Sequence, residues 1–141
     1  MSRYDTNLAS EYYVLACLHR LGIAAALTLG NKKGVDILVA REAGDAVTVE
    51  VKGVAKRYDW PAANLQSRAP SRHYVVLVSF EGKIEDPQMP HPRVWVVPFP
   101  AISHYVRHYA GGRTNVSRSA IINEGAEYEN AWHLIDHAVD A

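Results

Sequence analysis

The chain has 141 residues, of which 48% are hydrophobic and 21% charged, a balance that fits one globular domain with its own core over residues 1–141. No apolar run reaches the roughly 18 residues of a membrane span, and residues 1–13 lack the apolar core of a secretory signal, so we expect a cytoplasmic protein without membrane contact. A single cysteine excludes an internal disulfide framework and a cysteine-based zinc site, and a formal net charge of zero gives no direct sign of a nucleic-acid partner.

A helix is the first predicted element, beginning at one of the caps in segment 5–7 (DTN) and ending at Gly22. Apolar residues recur along it at helical spacing, and Glu11 lies on the same stripe. A carboxylate on the core-facing side of a helix is costly unless it is paired or binds a metal ion. Glu11 therefore either has such a partner or lies at the edge of the stripe, in contact with solvent.

Strands dominate the middle of the sequence. Short strands are predicted at 23–29, 35–40 and 46–53, and the five residues between the last two fit a hairpin loop. After a short helix at 62–68, the apolar run 73–80 (HYVVLVSF) predicts a central, buried strand.

The last part of the sequence mixes helices and strands. The predicted elements are an irregular loop at 81–92, a strand at 94–98, a helix from Pro100 to Tyr109, a short strand at 119–122 and a helix from Tyr128 to Ala138. The complete order, α-β-β-β-(α)-β-β-α-(β)-α, indicates an α/β or α+β domain.

Charge is distributed unevenly along the chain. Residues 52–120 contain ten basic and four acidic residues, whereas residues 121–141 contain five acidic residues and no basic one. A positive surface arises only where basic residues cluster in space. The middle segment therefore forms either a nucleic-acid-binding surface or an ordinary mixed surface, and the sequence leaves both open.

Polar residues coincide on the two hairpin strands because side chains alternate between the faces of a strand. Glu50 and Lys52 share one face of their strand, opposite its valines, and Asp36 lies on the less apolar face of the preceding strand. If the hairpin is centred on Ala43, position 36 lies directly across from position 50. The proposed grouping depends on this register, because a slip of one residue would reverse the faces.

Two carboxylates this close repel each other and need a cation between them. Carboxylate oxygens without a nearby cysteine favour Mg²⁺ or Mn²⁺ over zinc. Such an ion can hold a phosphate oxygen and lower the pKa of a bound water, while Lys52 orients that water and neutralises the phosphate. Glu11, projecting from the first helix, could add a ligand or hold a metal-bound water.

Three segments in this order, SEYYVLACLHRLG, GVDILV and TVEVKG, resemble the PD-(D/E)XK nuclease superfamily. This superfamily has the restriction-endonuclease-like fold and includes restriction enzymes and archaeal Holliday-junction resolvases. The resemblance covers about residues 8–53 by motif and implies a central mixed β-sheet flanked by helices. Val35 stands where part of the superfamily has a proline.

The resemblance also implies roles for individual residues. Asp36 and Glu50 match the metal-binding acids, and Lys52 matches the catalytic lysine. Glu11 matches the first-helix acid of resolvase-like members, and Val51 would lend its backbone carbonyl to the metal.

The implied function is metal-dependent hydrolysis of phosphodiester bonds in DNA by an endonuclease or resolvase-like enzyme. A homodimer is the accompanying expectation, because cutting both strands or a junction takes two sites. Since folds host inactive members as well, the alternative is a catalytically silent module that binds nucleic acid or a protein partner. A nuclease-toxin or immunity component is a third hypothesis.

Further polar residues are weaker candidates for contacts with nucleic acid: Lys56, Arg57, Gln66 and Arg72. Basic and aromatic residues are interleaved over residues 56–60, as they are on protein surfaces that bind single-stranded nucleic acid. Trp60 either belongs to such a surface or packs against the domain, and the residues at 66 and 72 either lie near the phosphate or are solvated loop residues.

Two histidine pairs, His104 with His108 and His133 with His137, have the spacing of one helix face and invite a zinc hypothesis. Neither pair has a glutamate at the position of a metalloprotease motif. Structural or surface histidines are the simpler interpretation of both pairs.

Overall fold

Four α-helices and eight strands form within residues 2–28, 35–41, 44, 46–63, 65, 72–89 and 91–140, which the computed structural model describes. The helices are α1 (Arg3–Arg20), α2 (Phe99–Ile102), α3 (Arg118–Glu124) and α4 (His133–Asp140). The strands are β1 (Ala25–Leu27), β2 (Ile37–Ala40), β3 (Ala46–Val54), β4 (Trp60–Pro61), β5 (His73–Ser79), β6 (Arg93–Pro98), β7 (Val106–His108) and β8 (Thr114–Val116).

A mixed five-stranded sheet, in the order β1-β2-β3-β5-β6, forms the centre of the fold. β3 and β5 run parallel, whereas the other neighbouring strands of this sheet are antiparallel. Parallel neighbours need a crossover connection. The chain between β3 and β5 provides it and contributes β4 to a second sheet of order β4-β8-β7.

Both faces of the central sheet are covered. On one face, Val14 and Leu18 of α1 and Ile135 of α4 join a buried cluster with valines of β3, β5 and β6. On the other face, α2, α3 and the small sheet surround a second cluster that includes Trp60 and Ile121. The predicted class, α+β with a central mixed sheet flanked by helices, is confirmed.

Trp60 is fully buried in the second cluster. Its indole N–H donates to the carbonyl of Val78 at 3.0 Å, and its ring meets that of Trp95 edge to face with centroids 5.6 Å apart. The packing interpretation of Trp60 is therefore correct, and this ring is not available to stack on a base.

The first helix forms as predicted but begins earlier. Ser2 is its N-cap, and the Ser2 Oγ accepts a hydrogen bond from the Asp5 N–H at 3.1 Å, so the predicted cap at 5–7 is wrong. The helix ends at Arg20. Gly22 then adopts a φ of 77°, a left-handed conformation that favours glycine after a helix.

α1 approaches β3 closely at Gly53. A Cβ atom built on Gly53 would lie 1.8 Å from the Ser10 Oγ. Ser10 is fully buried, and its hydroxyl donates a hydrogen bond to the Thr6 carbonyl at 2.7 Å. Only glycine permits this approach. The contact therefore sets how closely α1 lies to the central sheet. It also sets the position of Glu11, which follows Ser10 in α1.

The predicted helix from Pro100 to Tyr109 is wrong in its second half. α2 ends at Ile102, a 3₁₀ turn follows at Ser103–Tyr105, and the chain then forms β7. β7 pairs with β8, and Val106 lies opposite Val116. Sheet pairing between distant segments thus overrides the local helical preference.

The predicted strand at 119–122 is also wrong, because these residues belong to α3. The Ser117 Oγ caps this helix by accepting from the Ala120 N–H at 3.2 Å. Ile121 is fully buried on the inner side of the helix. A short apolar run cannot distinguish a buried strand from a buried helix, and here the serine cap was the signal that was overlooked.

The remaining predictions agree with the structure in part. The strands predicted at 35–40, 46–53, 73–80 and 94–98 are present with small changes at their ends, and the strand at 23–29 is shorter. The closing helix begins at His133 rather than Tyr128, and most of the helix predicted at 62–68 lies outside the described residues.

Across the described ranges, no helix has the length and apolar character needed to cross a membrane.

Candidate active site

The register of the β2–β3 hairpin brings Asp36 and Glu50 to the same level of the sheet. Ile37 pairs with Val49 and Leu38 with Thr48, which is the hairpin register that the sequence predicted, and Asp36 follows directly at the end of this pairing. Asp36 immediately precedes β2, and its N–H donates to the Val49 carbonyl at 2.8 Å. The acid is therefore held at the point where β2 begins.

β3 continues past this point without β2 beside it, and Asp36 takes the place of the missing partner. The Asp36 Oδ2 accepts a hydrogen bond from the Val51 N–H at 2.7 Å. The N–H and C=O of one strand residue point to the same edge. The carbonyl of Val51 therefore faces the same gap as the Asp36 carboxylate.

Glu50 and Lys52 form an ion pair on one face of β3. The Lys52 Nζ lies 3.2 Å from the Glu50 Oε2. Glu50 is only 2% exposed, whereas the Lys52 side chain is 18% exposed and reaches the surface. Lys52 is thus the member of the pair that an external ligand can contact.

Glu11 joins this group from α1. Burial, the negative charge of Asp36 and a hydrogen bond with that residue together raise the pKa of its carboxyl from 4.5 to about 7, and burial has the largest effect. Burial also raises the pKa of Asp36, and the charge of Glu50 acts in the same direction, against the hydrogen bond from the Val51 N–H. The structure therefore brings all four predicted side chains together, with three acids and one lysine.

The donor set fits a hard divalent cation. Asp36, Glu50 and the Val51 carbonyl offer oxygen atoms only, and the Glu50 Oε1 is buried without a hydrogen-bond donor. In the part of the chain that the structure describes, no group of three or more His, Cys, Asp or Glu side chains is arranged to hold a metal ion by itself. Mg²⁺ is commonly bound by one or two carboxylates and completes its shell with water and substrate phosphate, so two acids suffice for it.

The fold resembles that of a bacterial homing endonuclease. The solved structure of that endonuclease, I-Ssp6803I, superposes on the present chain with a TM-score of 0.60 and 16% sequence identity. The superposition covers 99% of the present chain and 94% of the endonuclease chain. No protein-family model matches the sequence, and no curated protein matches it significantly. At this identity the likeness shows a common fold, and function must be argued from the site.

The weaker candidates are dispersed. Lys56 and Arg57 are exposed in the turn after β3, close in sequence to Lys52. Arg72 is exposed but its guanidinium donates to the carbonyl of Ala138 at 3.0 Å, which ties it to α4. Gln66 lies outside the described residues.

Part of the basic middle segment is neutralised by acids. The Arg118 guanidinium binds both carboxylate oxygens of Glu81 at 2.8 Å, and Arg93 binds those of Glu129 at 2.9 and 3.1 Å. These contacts favour the mixed-surface interpretation for that part of the chain. Lys56 and Arg57, which follow Lys52 in the sequence, are exposed basic residues outside these two ion pairs.

Only one of the two histidine pairs lies on a helix as predicted. His104 lies in a 3₁₀ turn, 3.4 Å from a carboxylate oxygen of Glu124, whereas His108 lies in β7. This pair is therefore not on one helix face, and that prediction is wrong. His133 and His137 do share α4, where both are exposed with ring centroids 6.0 Å apart.

Two polar residues beside the site escaped the sequence reasoning. Thr48 and His73 are buried next to Glu50 on the same face of the sheet, at 4% and 2% exposure. In the sequence, Thr48 only shares a strand face with Glu50, and His73 only begins the apolar run 73–80. Their proximity results from the parallel pairing of β3 with β5, which no local pattern indicates.

We expect Glu11 to make the metal-free protein less stable as the pH rises. Its pKa is about 7 in the folded chain and 4.5 ordinarily. Between these values the folded state keeps a proton that the unfolded state has lost, so the free energy of unfolding falls across this window. Partial exposure limits the loss to about 1 kcal/mol.

Urea denaturation of the wild type and of Glu11→Gln at pH 4.5 and 8, without divalent ions, measures this effect. The variant should lose less stability between the two pH values than the wild type. Glu127→Gln, at an exposed position, is the matched control and should behave like the wild type. Equal losses in the wild type and Glu11→Gln would contradict the assigned pKa.

Proposed function

We propose that this protein is a metal-dependent nuclease of the PD-(D/E)XK type that hydrolyses phosphodiester bonds in DNA. The observation that carries the proposal is the grouping of Asp36, Glu50 and Lys52 where β2 begins, with Asp36 bonded to the Val51 N–H at 2.7 Å. The fold likeness to a homing endonuclease supports it. Four polar groups at one edge of a sheet are expensive to bury, and a catalytic role accounts for the expense.

Asp36, Glu50 and the Val51 carbonyl would hold Mg²⁺ or Mn²⁺, and such an ion supplies Lewis acidity and a water of lowered pKa when bound. The lysine ammonium, held by Glu50 at 3.2 Å, neutralises a phosphate oxygen and orients the attacking water. Glu11 keeps a proton near neutral pH and can exchange it with water beside Asp36.

A groove of about 430 Å³ leads away from Lys52 and suits a strand of nucleic acid. Arg3 and Asn7 of α1 line one part of it and offer hydrogen bonds to phosphate. Tyr58 lines another part and is 60% exposed, so its ring is available for stacking on a base. Exposed Lys56 follows Ala55, which lines the groove, and this groove is the surface that we assign to DNA.

Lys52→Met tests the proposal, because methionine keeps the length of the side chain and removes its charge. We expect cleavage of plasmid and branched DNA in Mg²⁺ or Mn²⁺ to fall by about 10²- to 10³-fold, the usual effect of removing one group that stabilises the transition state. Binding of Mn²⁺ should persist, since the acids remain. Lys83→Met, at an exposed position away from the groove lining, is the control.

The outcome decides between the parts of the proposal. Cleavage by Lys52→Met at the wild-type rate would remove Lys52 from the mechanism. Failure of the wild type to cut either DNA with either ion would reject the nuclease.

A catalytically silent module that binds nucleic acid is the second candidate. It is favoured by the Glu50–Lys52 ion pair, in which each charge already has a partner. Such a module would bind DNA without cutting it, and Glu50→Gln would leave the binding unchanged. A fluorescence-anisotropy titration beside the cleavage assay distinguishes the two candidates.

A further inference from the structure

We propose that His73 is a positioning residue that fixes the orientation of the Glu50 carboxylate through its Nε2–H, with Thr48 fixing the tautomer of the imidazole. The inference rests on the proposed function, because Glu50 matters there as a metal ligand. It adds two residues to the site, Thr48 and His73, to which the sequence patterns assign no role.

The parallel register of β3 and β5 brings the three side chains together. His73 pairs with Thr48, and Val75 pairs with Glu50, so all three polar residues lie on one face of two adjacent strands. Thr48, Glu50 and His73 are each at most 4% exposed. The ring of Phe99 covers the imidazole, with centroids 5.5 Å apart, and keeps solvent from it.

The contacts of the imidazole determine its role. The His73 Nδ1 lies 2.7 Å from the Thr48 Oγ1, a good hydrogen-bond distance. The His73 Nε2 lies 3.6 Å from the Glu50 Oε1. Both of these atoms are buried without a hydrogen-bond partner in the described part of the chain, and they face each other.

The facing carboxylate assigns the tautomer. An ionised carboxylate only accepts hydrogen bonds, so the imidazole nitrogen opposite it must carry the proton. The Nδ1 is then the acceptor, and the Thr48 hydroxyl donates to it. In this arrangement the Thr48 hydroxyl donates to His73, and the His73 Nε2–H is the donor that faces the Glu50 carboxylate.

Each carboxylate oxygen of Glu50 lies next to a different side chain. The Lys52 ammonium holds the Oε2 at 3.2 Å, and the His73 Nε2 faces the Oε1 at 3.6 Å, so a small movement of either side chain brings these two atoms to hydrogen-bond distance. Each carboxylate oxygen has a second lone pair that stays free for an ion. Partners of this kind orient metal ligands, and their loss commonly weakens metal binding by about 10- to 100-fold.

The experiment compares His73→Leu with His73→Gln, whose amide nitrogen can donate from nearly the position of the Nε2. Calorimetric titration with Mn²⁺ in the absence of DNA should show affinity reduced by about 10- to 100-fold in His73→Leu and mostly restored in His73→Gln. Thr48→Val should weaken binding, whereas Thr48→Ser should not. Circular dichroism and thermal unfolding of each variant establish that it is folded.

A readout without metal keeps the inference independent of the nuclease. In ¹⁵N-edited spectra of the metal-free wild type, His73 should be the Nε2–H tautomer, and its signals should shift in Glu50→Gln. An Nδ1–H tautomer would overturn the inference, as would wild-type Mn²⁺ affinity in a folded His73→Leu. A wild type that binds Mn²⁺ with these dependences but cuts no DNA would refute only the proposed function.

Discussion

Asp36→Asn is expected to abolish cleavage while making the metal-free protein more stable. Asparagine loses the charge that holds the ion, which costs several kcal/mol of transition-state stabilisation, or about 10³-fold in rate. Its amide oxygen still accepts the Val51 N–H, so the edge of the sheet is preserved. The raised pKa of Asp36, due mainly to burial and also to the charge of Glu50, means that removing its charge relieves a cost of folding.

Three measurements on purified protein check this expectation. Cleavage in Mg²⁺, Mn²⁺ titration and urea denaturation at pH 8 should show activity lost, ion binding weakened and the free energy of unfolding raised by about 1 kcal/mol. Asp86→Asn, at an exposed loop position, should change none of them. A variant that loses activity because it unfolds would show the opposite change in stability, and one that still cuts DNA would contradict the site.

Gly53→Ala is expected to produce the largest loss of stability. The added methyl group would lie 1.8 Å from the Ser10 Oγ and 2.6 Å from the Ser10 Cβ. α1 must therefore shift away from β3, and overpacking of this kind costs about 1–3 kcal/mol. The shift also moves Glu11 away from Asp36, so the pKa of Glu11 should return toward its ordinary value.

A double-mutant cycle with Ser10→Gly isolates this contact. Ser10→Gly alone is destabilising by about 1 kcal/mol, because glycine weakens a helix interior. The combination with Gly53→Ala should nevertheless cost less than the sum of the two single changes, since the clash is gone. If the losses in free energy of unfolding measured by chemical denaturation are additive, the contact with Ser10 is not the reason why position 53 requires glycine.

The β2–β3 hairpin could be predicted from the sequence because a strand has a period of two. Alternation alone placed Glu50 and Lys52 on one face, and the short loop fixed the register of the two strands, which the structure confirms from Ile37 opposite Val49 to Ala40 opposite Ala46. These inferences need only neighbours within about fifteen residues. The identity of the ion and the roles of the side chains stay predictions.

The elements that sequence reasoning missed depend on distant partners. β7 forms because β8 is available to pair with it, and the helix at α3 forms around Ile121, which is buried by other elements. His73 approaches Glu50 only through the parallel pairing of β5 with β3. Local propensity carries no information about such contacts, so it could not indicate the positioning residues of the site.

Asp36 has two roles. Its carboxylate accepts a hydrogen bond from the Val51 N–H, and it also faces the proposed ion. Asparagine at position 36 would still supply an oxygen that accepts from the Val51 N–H, whereas an apolar residue would remove this acceptor. Lys52 likewise has a structural role, because its ammonium is the counter-charge of the buried Glu50 carboxylate. In a related chain, an acid at position 36 would therefore not by itself indicate cleavage, because the hydrogen bond to the Val51 N–H alone would favour it.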